Sequence, residues 1–272
     1  MSDFEFQRFI TIGQYLPTGS VIHRLDPRTR LVAGALLVGA ITGVPHFAGL
    51  GLLVVLVLAA LVAARIPLAY ALKGLLPPLP FIAFLALLQV FFGPQEDGAL
   101  IWAWRFVHIS WADLRVGAML IGRFAALILA ISLFSFCIST REMVTGLDAL
   151  LKPLTALGLP THDVVLMVQV TLRFLPLLAR EAERIAKSQA SRGAEWGTGR
   201  GGLFKRTRQA LPVLVPLFLT SLRRAESLAL AMEARSYTGG RGRTSMMTLR
   251  FRLVDGLAML LVTVSAGIAL LL

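Results

Sequence analysis

The stretch LVAGALLVGAITGVPHFAGLGLLVVLVLAALVAA, residues 31–64, contains no charged side chain. A single membrane crossing takes about 20 apolar residues, so this run is too long for one span. Gly43-Val44-Pro45-His46 interrupts its middle, and glycine next to proline favours a turn. The stretch therefore predicts a hairpin of two rather short apolar helices, over residues 28–43 and 47–64.

Working outward, three further blocks have the same character. Residues 74–95 carry no charge, 116–140 carry only Arg123, and 253–272 carry only Asp255. The chain has 272 residues, 56% of them apolar, and a mean hydropathy of +0.75. These features predict an all-α integral membrane protein with about five transmembrane helices. The third span is entered through Pro77-Pro78-Leu79-Pro80, which suits an irregular or kinked start. Between the third and fourth spans, residues 96–115 hold Trp102, Trp104, His108 and Trp111. Tryptophan favours the membrane–water boundary, so this is expected to be a loop on the outer interface.

Charge sets the expected orientation. Residues 141–252 hold 18 of the 27 Lys and Arg but only 8 of the 15 Asp and Glu. The positive-inside rule places that block in the cytoplasm of a multi-pass protein of the cell membrane. The first thirty residues lack the pattern of a secretory signal, so the N-terminus is expected in the cytoplasm. The implied layout is residues 1–140 with four spans, 141–252 as a cytoplasmic region, and 253–272 as a last span. A nucleic-acid binder shares the high net charge of +12 but not the apolar blocks, so no nucleic-acid partner is expected.

The basic region divides into three helices. Residues 141–157 follow Ser139-Thr140, the second helix runs from Thr161 to about Ser191, and the third from about Thr207 to Arg235. The second and third are each apolar in the first half and charged in the second, with Pro176, Pro212 and Pro216 in or near the apolar parts. They are expected to be long amphipathic helices packed against each other at the cytoplasmic surface. The connector GAEWGTGRGG, residues 193–202, is followed by Leu203 rather than the Lys-Ser or Lys-Thr of a phosphate loop, so it is taken as a flexible linker.

These two helices also repeat. Arg180, Ala182, Glu183, Ala186 and Arg192 recur 43 residues later as Arg223, Ala225, Glu226, Ala229 and Arg235. One helix ends Ser191-Arg192-Gly193, the other Ala234-Arg235-Ser236. An arginine at a helix C-terminus can simply offset the macrodipole. The matched register and small flanking residues favour a docking pair instead. Small neighbours let another backbone approach while the guanidinium enters an acidic groove. Glu183, Glu226, Ala186 and Ala229 are candidate supports for these ends. Arg223 and Arg224 are taken as a solvated or headgroup-facing surface, and Arg123 as facing the bundle interior or snorkelling outward.

The four histidines fall on separate segments, Cys137 is a lone thiol, and no serine elbow, zinc motif or nucleotide fingerprint occurs. No catalytic residue, cofactor or metal is therefore assigned. Two competing classes are a self-contained secondary transporter and a membrane enzyme, each with a substrate site in the helix bundle. The first expects polar groups within the spans and paired membrane halves. The second expects a cluster of titratable residues at one interface. Neither pattern is found.

The paired Ala/Ser-Arg-Gly/Ser triplets and the opening QYLPTGSVIHRLDPRTRL, residues 14–31, resemble the transmembrane T component of energy-coupling factor (ECF) transporters. The resemblance covers nearly the whole chain. The family pattern is close to Ala-Arg-Gly; here Ser191 replaces the alanine of the first triplet and Ser236 the glycine of the second. The resemblance implies a non-catalytic scaffold and transmission subunit for vitamin or metal-ion uptake. It implies as partners two cytoplasmic ATPases, one or more substrate-binding S components, and membrane lipid. Arg192 and Arg235 would enter grooves on the two ATPases.

Overall fold

The computed structural model describes residues 15–92, 100–104, 107–158, 161–193, 203–237, 239 and 249–272. The segment 31–64 folds as the expected hairpin, α1 (Pro27–Gly43) and α2 (Phe47–Ala63). Helix α1 starts where it does because the Asp26 side chain accepts from the Arg28 amide at 3.0 Å and Pro27 occupies the first helical position. Its end at Val44-Pro45 receives a second closure. Arg123 donates from its guanidinium to the Val44 carbonyl at 2.6 Å, so the one arginine of the fourth span faces inward.

The third apolar block has the expected kinked entrance. Helices α3 (Leu68–Leu75) and α4 (Leu79–Phe92) meet at 53° across the proline cluster, where missing amide donors interrupt the helix. The expected interfacial loop is in part a two-stranded antiparallel hairpin, β1 (Leu100–Trp104) and β2 (Val107–Ser110). Its residues are mostly aromatic or β-branched, which suits a strand. Residues 93–99, with Glu96 and Asp97, lie outside the described residues. Helix α5 (Trp111–Cys137) follows. Ser110 accepts from the Ala112 amide at 3.1 Å, and Asp113 accepts from the Ser110 amide at 2.8 Å, closing its start.

The remaining elements are α6 (Thr140–Leu151), a short 3-10 turn ending at Gly158, α7 (Thr161–Ser191), α8 (Leu203–Ala234) and α9 (Leu253–Leu271). The architecture is all-α apart from the one hairpin. Helix α8 begins four residues before the expected start at Thr207, since Leu203 to Arg206 are all compatible with a helix. By length and composition α5, α7 and α9 can each cross a membrane, and the bent pair α3–α4 makes a fourth. That set differs from the expected five. Helices α1 and α2 have 17 residues each, about 26 Å of rise, the short end of the spanning range. Helix α7 qualifies through its apolar first half.

The described chain falls into two compact units. The first runs to Ala149 and includes α9. Helix α5 is its centre and packs on α1, α2, α3 and α4, while α9 packs on α1 and α2. Ile41, Val44, Leu53, Val57 and Leu61 are fully buried there, with Ala126, Leu129 and Leu133 of α5 and Val262, Ala266 and Ala269 of α9. Phe81, Phe84 and Leu87 on α4 and Leu257, Leu260 and Leu261 on α9 are exposed. An apolar exterior of this kind matches lipid rather than water.

Buried polar ties fix this unit, and the opening string supplies most of them. Asp255 is 1% exposed and accepts from the Asp26 and Arg252 amides, each at 2.7 Å, joining the start of α1 to the start of α9. Arg30 donates to the Cys137 carbonyl at 2.5 Å and to Glu142 at 2.9 Å, tying α1 to the end of α5 and to α6. Thr18 donates to the Ala64 carbonyl at 2.6 Å, and the Leu16 amide donates to the Phe136 carbonyl at 3.1 Å. Ser20 lies 2.7 Å from His23 Nδ1, and the Tyr15 ring meets His23 edge-on. Gln14, the first residue of the string, lies outside the described residues.

Burial alone would raise the Glu142 carboxyl, but hydrogen bonds from Arg30 and Ser139 and the Arg30 charge outweigh it and hold the group below its ordinary range. A lowered folded-state pKa stabilises above the unfolded value, and that stabilisation fades as pH falls. Thermal stability in detergent should therefore fall between about pH 5 and pH 3, with a shallower slope in Glu142→Gln. A second expectation concerns packing. A Cβ at Gly49 would collide with the Ala269 carbonyl of α9, whereas one at Gly51 meets nothing. Gly49→Ala should destabilise by about 1–3 kcal/mol in the same assay, and Gly51→Ala should not.

Candidate docking site

The second unit begins at Leu150 and contains α7 and α8. Each helix runs without a break through its prolines, Pro176 in α7 and Pro212 and Pro216 in α8. The charged half of α7 is laced along its own surface. Glu181 pairs with Arg184 at 2.8 Å and Glu183 with Lys187 at 2.7 Å, the spacings at which helical neighbours meet.

The two helix ends share one geometry. After α7, Arg192 is followed by Gly193 at φ 85°, and the Gly193 amide donates to the Ala190 carbonyl at 3.0 Å. After α8, Arg235 is followed by Ser236 at φ 57°; the Ser236 amide donates to Glu233 at 2.9 Å and the Tyr237 amide to Met232 at 3.0 Å. At α8 the two bonds make a Schellman closure, and at α7 Gly193 takes the same left-handed position after the cap. The third triplet position is thus set by backbone geometry. Ser236 adopts, at some cost, the conformation glycine takes freely.

Both triplets, Ser191-Arg192-Gly193 and Ala234-Arg235-Ser236, are exposed. Among the described residues neither guanidinium has a side-chain hydrogen bond or ion pair. Two unengaged cations stand at the ends of two long helices. The linker residues 194–202 and the pair Met246-Met247 lie outside the described residues.

Helices α7 and α8 pack on each other. Val170, Phe174 and Leu178 of α7 line an apolar groove of about 250 Å³ with Ala225, Leu228, Ala229 and Met232 of α8. The first half of α7 therefore faces the second half of α8. The four supporting residues have different surroundings. Ala186 is fully buried, while its counterpart Ala229 is exposed beside the groove. Glu183 is tied to Lys187, whereas Glu226 is exposed and has no ion pair among the described residues.

One contact corrects the sequence reading. Arg224, taken from sequence as solvated or facing headgroups, reaches across to Glu181 at 3.3 Å. The signal was present in the repeat. Residues 181 and 224 are 43 apart, the same offset as the matched positions, and they carry opposite charges.

A family model described as CbiQ, cobalt transport protein, matches residues 18–246. A relative from Heliobacterium modesticaldum is 40% identical over 240 residues, 88% of each chain. One from Thermanaerovibrio acidaminovorans is 38% identical over 261 residues, covering 95% of this chain and 94% of its own. One from Ruminiclostridium cellulolyticum is 36% identical over 248 residues, 91% of each. All three are named energy-coupling factor transporter transmembrane protein EcfT.

The cap geometry makes a direct prediction. A Cβ at Gly193 meets nothing within 4 Å, so only its dihedral angle resists substitution. Gly193→Val should cost about 1–2 kcal/mol locally and speed hydrogen exchange in the last turn of α7. Ser236→Gly should slow exchange at the end of α8. Unchanged exchange in both variants would contradict the cap assignment.

Proposed function

The chain belongs to the CbiQ family, the transmembrane components of energy-coupling factor transporters, and on that premise we propose that it couples two cytoplasmic ATPases to a separate substrate-binding S component. It is a multi-pass membrane subunit of a transporter complex. The proposal adds the partners, the direction of coupling and the absence of catalysis in this chain itself. The N-terminus and the second unit lie on the cytoplasmic side of the cell membrane, as the basic excess of residues 141–252 favours. The cargo is a vitamin or metal micronutrient, held by the S component and not by this chain.

The observation that carries the proposal is the matched pair of exposed arginines at the C-terminal ends of α7 and α8, neither engaged among the described residues. A guanidinium suits an acidic groove because its planar fork can bond two carboxylate oxygens at once. Two equivalent ends suit two equivalent motors. Closure of the motors on ATP would move both ends together and shift the helix pair against the S component.

Arg192→Glu with Arg235→Glu places a like charge in each acidic groove. Burying an unpaired charge at an interface costs about 2–5 kcal/mol. Copurification of the ATPases in mild detergent should be lost or reduced by at least about thirtyfold, and ATP-driven uptake in proteoliposomes should disappear. Full copurification with normal uptake would overturn the proposal.

A further inference from the structure

Two helices that repeat one plan touch here at a pair of positions that correspond in the repeat. Glu181 and Arg224 correspond under the 43-residue offset and are in contact at 3.3 Å. We propose that this pair is the pivot on which the two coupling helices turn, Glu181 and Arg224 being positioning residues for transmission and not docking residues. The idea rests on the coupling role proposed above.

Three observations converge on it. First, the arms are equal. Arg192 lies eleven residues beyond Glu181 and Arg235 eleven beyond Arg224, so each arm is roughly 16 Å long at helical rise. Equal arms turn equal displacements at the two ends into one rotation about the centre. Second, the carboxylate is sheltered, while Arg224 is 38% exposed. Glu181 is 12% exposed and receives both Arg224 and Arg184, while Arg184 itself is 79% exposed and extends into solvent. A carboxylate held by a guanidinium from the other helix resists sliding while permitting rotation about the contact. Third, the two flanks differ. On one side Phe174, Leu178, Leu228 and Ala229 leave the apolar groove open. The position corresponding to Ala229 is Ala186, which is fully buried. Rotation about the pin therefore has room in one direction, with closure of the groove as its stop.

The test uses spin labels on corresponding exposed positions of the two arms, Ser188→Cys and Ala231→Cys, with the single native thiol removed by Cys137→Ala. Distances between the labels are measured in the chain alone in lipid nanodiscs and in the complex with its copurified ATPases, with and without ATP and vanadate. The starting protein should give one narrow distance in nanodiscs and a shift on ATP and vanadate in the complex. Glu181→Arg or Arg224→Glu alone should broaden the distance and abolish the ATP-driven shift while the ATPases still copurify. The combined charge exchange should restore both. Single reversals that leave the distance as narrow as before, or an exchange that restores nothing, would overturn the pivot. If the ATPases fail to copurify even with the starting protein, the coupling role fails, and the nanodisc distances still decide whether Glu181 and Arg224 pin the crossing.

Discussion

Two helices built on one plan and packed on each other are constrained by their own repetition. Where two corresponding positions meet, the residues there must be complementary, while a repeated position that does not meet its counterpart looks toward a different neighbour. In α7 and α8 the corresponding positions Glu181 and Arg224 meet, an opposite-charge pair that two identical residues could not supply.

The first unit solves a different problem. Its helices pack in a lipid-like exterior, where apolar contact alone does not choose one arrangement over another. Selection comes from close approach and from polar ties. Gly49 lets α2 reach the backbone of α9. Asp255 holds two amides from separate segments, Arg30 joins three elements, and Arg123 closes the last turn of α1. Each tie is costly to leave half made in such surroundings. The opening string, which resembles the family so closely, is therefore architectural here. Tyr15, Thr18, Ser20, His23, Asp26 and Arg30 are engaged with the helices around them.

Local features were legible from the residues alone. The α1–α2 hairpin, the start of α7 at Thr161 and the extent of α9 follow from apolar runs, caps and turn residues, all of which act within a few positions. Features that depend on distant partners were harder. The β1–β2 hairpin forms by pairing residues around a turn. Arg224 looked like one more surface charge because its partner lies on another helix. The left-handed conformation of Ser236 was likewise hidden, since serine does not announce it as glycine does.

The most direct test of docking places a photo-crosslinking amino acid at Ser191 and, separately, at Ser236 in the assembled complex. Each position should capture an ATPase subunit, and the two together should capture two copies. Crosslinks to lipid or solvent alone, with the complex intact, would contradict the account.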